Sequence, residues 1–298
     1  DKDLEMKYIL GNNTILINYC IKQKVTMSKL HNLIEPESLN TMLNEPNLLI
    51  IDLCNDGLYA RKHIPGAVHI SPKKLLAGSF PTPNKLPSIE QISAMMNSIG
   101  LTEEKHVVAY DDEGGGWAGR FLWTLDVIGH KNWSYLNGGL IAWHNEGFST
   151  TAEVPVTNET QRDFKIDRTP IVDIEEIMNS LENQELQIWD ARSEAEFTGA
   201  TLFAEKGGHI PGAINCDWTN MMDFKRNQRI RDDALEALEN LGLSSKKPTI
   251  THCQSHHRSG FTYMLGKILG FNSIRAYDGS WAEWGNHPKT PVEVECNE

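Results

Sequence analysis

The chain has 298 residues, 40% hydrophobic and 23% charged, with 13 prolines and 23 glycines. That profile excludes collagen-like, disordered and disulfide-scaffold classes and gives room for two domains of ordinary size. A net charge of −12 speaks against tracking a nucleic-acid backbone or holding an anionic membrane, so an anionic substrate would need a local positive field.

Residues 1–26 carry a weak apolar patch at Thr14–Ile21, broken by Asn18, with no small-residue cleavage site after it. No secretory signal is expected, and residues 1–27 read as an N-terminal extension whose order the sequence leaves open, with Met27 a candidate start. No apolar run reaches the ~20 residues that span a bilayer. Leu49-Ile50-Ile51-Asp52 reads as a buried strand, followed by His63-Ile64-Pro65-Gly66-Ala67-Val68. Ser88-Ile89-Glu90-Gln91 is a capping box opening a helix with Ile92, Met95, Met96 and Ile99 on one face. Val107–Tyr110 is a second buried strand, leading to a helix with Ala118, Phe121, Leu122 and Leu125 that stops near Gly129. Leu136-Asn137-Gly138-Gly139 and Trp143 close this part, and 151–168 is polar and aperiodic.

The same elements then return. Leu186–Asp190 repeats the strand ending in aspartate, and His209-Ile210-Pro211-Gly212-Ala213-Ile214 lies 146 positions after its twin. Asn240-Leu241-Gly242-Leu243 answers Ser98–Leu101, and Thr249–His252 answers Val107–Tyr110. Phe261, Met264, Leu265, Ile268 and Leu269 give the second helix one apolar face, with Gly270 at its stop. Tyr277-Asp278-Gly279-Ser280 with Trp284 ends the series. Matches in one order at nearly constant offset mean two copies of one domain, at 28–150 and 169–298, joined by a linker at 151–168. Alternating strands and helices give an α/β class, each copy a mostly parallel sheet with helices on both faces.

The chemistry is expected after one strand only. His252-Cys253-Gln254-Ser255-His256-His257-Arg258-Ser259 joins the buried strand to the amphipathic helix, where ligands bind in such sheets and helix N-termini favour anions. Unpaired N–H groups, the helix dipole and neighbouring cations all lower a thiol pKa, making Cys253 the candidate nucleophile. Cys54 and Cys216 read as packing residues, and Cys20 and Cys296 as incidental. The odd cysteine count without a C-x-x-C argues against a disulfide framework or zinc ribbon and for a reducing, cytoplasmic setting. In the first copy the position of Cys253 is held by Asp111, within Asp111-Asp112-Glu113-Gly114-Gly115-Gly116, which offers no thiol. Trp117, Trp123, Trp143, Trp281 and Trp284 read mostly as core or interdomain packing, with a place lining the substrate cleft as the alternative for Trp117.

Together, Asp190-Ala191-Arg192, Glu196-Phe197, His209–Ala213, the strand-Cys-loop-helix and Asp278-Gly279-Ser280-Trp281 resemble the tandem-domain rhodanese-like sulfurtransferases, from about residue 28 onward. The resemblance implies a non-catalytic first domain. It also implies a double displacement in which the Cys253 thiolate takes a sulfane sulfur from a small anionic donor as a persulfide, then passes it to cyanide or a thiol. No metal or organic cofactor is implied. The family's substrate-binding arginine maps onto Arg192, with an ion pair to Asp190, Glu194 or Glu196 as its plainer role. The loop residues Gln254, Ser255, His256, His257 and Arg258 would complete the substrate site. His256 stands where the family usually has glycine, so a positive φ is expected there, and one of the two histidines is expected to pack under the loop. The neutral Gln254 and Ser255 beside His256, His257 and Arg258 as charge or near-charge favour thiosulfate over 3-mercaptopyruvate. Three rival readings are a cysteine phosphatase or arsenate reductase, whose arginine would come one residue later, a non-enzymatic persulfide carrier docking a partner protein, and a zinc site on His252, Cys253, His256 and His257.

Overall fold

A computed structural model of the protein describes residues 32–181 and 186–294. The expected extension 1–27, with Cys20 and Met27, and Cys296 lie outside the described residues. The first half runs β1 (Leu33–Ile34), α1 (Pro36–Met42), β2 (Leu48–Asp52), α2 (Asp56–Tyr59), β3 (Val68–His69), α3 (Ile89–Ser98), β4 (His106–Tyr110), α4 (Gly116–Val127), β5 (Trp133–Leu136) and α5 (Gly139–Asn145). Its strands pair in parallel throughout, in the order β1-β5-β4-β2-β3. The second half runs α6 (Ile174–Ser180), β6 (Gln187–Asp190), α7 (Glu194–Phe197), β7 (Ile214–Asn215), β8 (Met222–Asp223), β9 (Arg229–Ile230), α8 (Ala234–Asn240), β10 (Thr249–His252), α9 (Arg258–Ile268), β11 (Ile274–Ala276) and α10 (Ser280–Trp284). Its sheet is β11-β10-β6-β7, again all parallel, beside a small antiparallel β8–β9 pair.

Local chemistry sets these elements. Ser88 and Gln91 form both halves of the capping box that starts α3. Gly129 and Gly270, just past α4 and α9, take left-handed φ values of 78° and 75°. Along β2 the strand period of two sends Leu49 and Ile51 to one face of the sheet and Ile50 to the other. Ile50 joins Leu39, Val108 and Trp143 in a core under the outer helices. Leu49 and Ile51 face inward, where Val107, Phe121 and Leu122 meet Phe261, Met264 and Leu265 of the second half. The inner layers of the two halves therefore share one core, while Val172, Ile188, Ile250 and Trp284 form the second half's outer core.

At the seam, α4 and α9 cross through Gly119 and Gly260. A Cβ on Gly119 would lie 2.3 Å from the Gly260 carbonyl oxygen, and one on Gly260 would lie 2.6 Å from the Arg120 amide nitrogen. Buried polar bonds cross the same seam. Tyr263 donates its hydroxyl to Asp126 at 2.7 Å, and the Trp123 indole donates to the Pro170 carbonyl at 3.0 Å. The segment between the halves is extended and fastened to the first: the Asn97 carboxamide oxygen accepts from Thr160 and from the Arg162 amide, and Asp167 N–H donates to the Val127 carbonyl. No helix among the described residues is long and apolar enough to cross a membrane.

Candidate active site

Between β10 and α9 the chain turns through residues 253–257, and the cysteine sits at the carboxyl end of its strand. Cys253 is 1% exposed. Burial works against its thiolate, but the Arg258 charge, the Ser259 hydroxyl and the N–H groups of Ser259 and Ser255 outweigh it and pull the thiol below its ordinary value. The Ser259 hydroxyl donates to Sγ at 3.4 Å. Behind the loop, α10 fixes its backbone: Cys253 N–H donates to Ser280 Oγ, Trp281 N–H to the Cys253 carbonyl, and Ala282 N–H to the Gln254 carbonyl. The other buried cysteines carry the opposite sign. Burial and the neighbouring Asp52 raise Cys54 far above the ordinary range, and burial raises Cys216 to about 11. Both are packing residues, as expected.

Arg258 opens α9 and forks onto Glu196 with two bonds of 2.6 and 2.7 Å. Glu196 is presented by its own capping box, in which Ser193 and Glu196 bond each other at the start of α7. The guanidinium is thus held rigidly while its charge still acts on Cys253.

His256 does adopt the left-handed conformation expected where glycine is usual, with φ 56°. Its side chain packs under the loop, 1% exposed, with its ring edge-on to Trp123 at 4.5 Å between centroids. Burial, reinforced by the charges of Arg120, His257 and Lys85, drives its pKa well below the ordinary histidine value. The expected contribution of charge from His256 is therefore corrected: the imidazole is neutral. His257 points to the rim, between Trp117 at 4.5 Å and Trp218 at 5.5 Å, with Nε2 3.5 Å from Glu113 of the first half. Gln254 donates its amide to the Phe203 carbonyl, and the Ser255 carbonyl accepts from the Asn84 side chain.

Arg192 departs from the expectation that it grips the donor. It is 1% exposed, and both Nε and Nη2 donate to Asp190, at 2.6–3.0 Å. Nη2 also donates to the Gly208 carbonyl, and the guanidinium lies 4.3 Å over the Trp281 ring. Its planar fork is spent on a buried aspartate, the plainer of the two roles considered for it. The reason is local: Asp190 ends β6, and its carboxylate accepts the Arg192 N–H in a tight turn that folds the side chain back. Asp52 accepts the Cys54 N–H in the same way in the first half.

The twin loop of the first half is filled from within. Asp111 accepts from the N–H groups of Glu113, Gly115 and Ala118 at 2.8–3.0 Å. In the second half it is the Ser255 and Ser259 N–H groups that face the Cys253 sulfur. The first half also reaches the Cys253 loop directly. Asn84 bonds Ser255, Leu86 N–H donates to Asp278, and Lys85 pairs with Asp278 at 2.7 Å. Beneath them Arg120 is fully buried, donating Nη2 to the Leu75 and Asn84 carbonyls, with its charge facing Asp278 and Cys253. Burial lowers its pKa to about 10.

Sequence reading did not single out Ser259, Asn84, Lys85 or Arg120. Ser259 had a usable signal, a hydroxyl directly after the loop arginine at a helix start; the first-half residues had none.

The rhodanese-like domain family matches twice, over residues 35–146 and 173–287. The chain is 47% identical to a thiosulfate sulfurtransferase of Pseudomonas aeruginosa, covering 88% of this chain and 96% of that one. It is 29% identical to a 3-mercaptopyruvate sulfurtransferase of Escherichia coli K12, covering 79% and 84%. In fold it matches the crystal structure of YnjE with a TM-score of 0.79 at 24% identity, over 89% of this chain and 69% of that one. With two family matches in sequence, two parallel α/β halves and a cysteine loop in the second, the chain belongs to the rhodanese-like domain family.

Proposed function

We propose that the protein is a sulfurtransferase acting by double displacement at Cys253, with thiosulfate the favoured donor. The observation that carries this is a buried thiol held below its ordinary pKa, facing backbone N–H groups in a loop as short as one outer sulfur requires. The Cys253 thiolate attacks the outer sulfur of thiosulfate. Its bond to the sulfonate sulfur breaks, sulfite leaves with the electron pair, and Cys253 becomes a persulfide. Cyanide or a thiol then takes the outer sulfur and returns the thiolate. The N–H groups around the loop are positioned before charge arrives at the terminal sulfur, so little reorganisation is needed. Identity to the Pseudomonas relative, well above that to the Escherichia one, supports thiosulfate over 3-mercaptopyruvate.

The first half, 28–150, serves as a non-catalytic wall and support, with 151–168 as linker and 169–298 as the catalytic domain. Asp111 supports that division by occupying its own loop. A protein thiol is a further candidate acceptor, approaching over Leu202 and Phe203, each 61% exposed beside Gln254. A reducing, cytoplasmic setting fits the unpaired Cys54, Cys216 and Cys253.

The test is mass spectrometry of the Cys253 peptide after thiosulfate treatment. One added sulfur, removed by cyanide and absent in Cys253→Ser, is expected. An unmodified peptide during thiosulfate turnover would refute the mechanism, and a persulfide formed only from 3-mercaptopyruvate would reverse the donor preference.

A further inference from the structure

We infer that His256 is a positioning residue for the nucleophile: its Nδ1–H fixes the Ser259 hydroxyl, which in turn donates to the Cys253 sulfur. This rests on Cys253 being the nucleophile, and it assigns His256 to the thiol's proton state where a substrate contact had been expected.

The distances set the order of the chain. His256 Nδ1 lies 2.7 Å from Ser259 Oγ, and Ser259 Oγ lies 3.4 Å from Cys253 Sγ. A serine hydroxyl has one proton. When that proton is donated to the thiolate, the short contact to His256 can be a hydrogen bond only if Nδ1 carries the hydrogen. The neutral ring then has a bare Nε2, and Nε2 is buried without a hydrogen-bond partner among the described residues. The thiolate thus selects one imidazole tautomer, and the tautomer fixes one hydroxyl rotamer. No proton leaves the triad in this arrangement.

The surroundings favour that state. Trp123 of the first half seats the imidazole at 4.5 Å and holds the Arg120 guanidinium 4.7 Å above its ring. The cations facing His256 are Arg120 from α4, Lys85 from the segment before α3, and His257 from its own loop. They oppose a second proton on the ring. Facing Cys253 are Arg258 at the start of α9 and Arg120 from α4. The histidine at φ 56° carries a conformational cost, and in that left-handed conformation its ring reaches Ser259.

The test reads the proton state of Cys253 without any sulfur donor. The rate of iodoacetamide labelling of the Cys253 peptide is followed against pH by mass spectrometry, which ignores the other cysteines. Ser259→Ala should move the midpoint up by about 1–2 pH units, the worth of a hydrogen bond to a charged group. His256→Gly, which suits the left-handed backbone, should move it in the same direction. The double variant should move it no further than Ser259→Ala alone, because the two residues act in series. His256→Asn tolerates positive φ and places an amide donor near the former Nδ1, so it should restore the wild-type midpoint. A wild-type midpoint in His256→Gly, additive shifts in the double variant, or a His256→Asn profile matching His256→Gly would each overturn the assignment. Since no donor is present, these outcomes stand apart from whether thiosulfate is the substrate.

Discussion

Arg258→Gln separates the two things a cation beside the sulfur can do. The substitution removes the charge that lowers the Cys253 thiol and the fork that holds the buried Glu196, while keeping a polar side chain on a shorter stem. An opposite charge close to an ionisable group typically shifts its pKa by about 1–3 units, and here Ser259 and two backbone N–H groups remain. A rise of about 1–2 units in the thiol midpoint is therefore expected. The sign follows from the reactive form being the thiolate. The acid limb of kcat/KM moves to higher pH, and below the wild-type midpoint the rate falls about 10- to 100-fold, with convergence at alkaline pH. Iodoacetamide is uncharged and reports only the proton state, whereas thiosulfate is a dianion and also reports attraction. Equal losses with both reagents at every pH would confine Arg258 to the thiol. A larger loss with thiosulfate that persists above the midpoint would measure donor binding. An acid limb that stays where it was in Arg258→Gln would refute the reasoning, because the depressed thiol would then owe nothing to this charge.

Arg192→Ala should lower Tm while leaving donor KM close to wild type, because it strips a fully buried aspartate of its guanidinium and leaves only His252 at 3.5 Å, a loss of about 3–5 kcal/mol; a raised KM with unchanged Tm would reverse that assignment. Asp111→Ala should destabilise the fold by at least about 2 kcal/mol, since three N–H groups lose their acceptor together, and urea unfolding would show it. Glu196, held below its ordinary pKa despite burial by the Arg258 fork and by Ser193, contributes stability that is present above the unfolded carboxylate pKa and is lost as pH falls through the lower folded value. Replacing it with Gln should flatten that part of the Tm-against-pH curve, and an unchanged curve would argue against the pair. Gly119→Leu should separate the halves and expose tryptophan fluorescence, as a side chain there meets the Gly260 backbone.

Much of this was legible in sequence because it was written twice. Two weak strand signals, Leu49–Asp52 and Leu186–Asp190, become firm when each is followed by the same His-Ile-Pro-Gly-Ala. The capping box at Ser88 and the glycine stops at 129 and 270 are local rules obeyed locally. The loop cysteine was legible for the same reason, since its strand and helix are both periodic. What could not be read was pairing over distance. Arg192 has Asp190, Glu194 and Glu196 close by in sequence and nothing local says which of them takes it, whereas Arg258 has no acidic residue near it in sequence and finds Glu196 62 positions away. His256 and His257 are adjacent and chemically identical, yet one backbone angle sends them to opposite sides of the loop. Asn84 and Arg120 act from the other half of the chain, across a seam that no periodicity records.

Gly119 and Gly260 occupy corresponding places in the two copies, and they touch each other. The seam therefore lies on the molecule's internal two-fold relation, in the manner of an isologous dimer contact drawn into one polypeptide. A surface of that kind is complementary to itself, so duplication supplies both sides of it at once and no second surface has to arise. Divergence is then cheap everywhere except on the axis. The two copies differ freely elsewhere, with Asp111 in one standing where the other has Cys253, while the point of contact, shared by both, is bare in each.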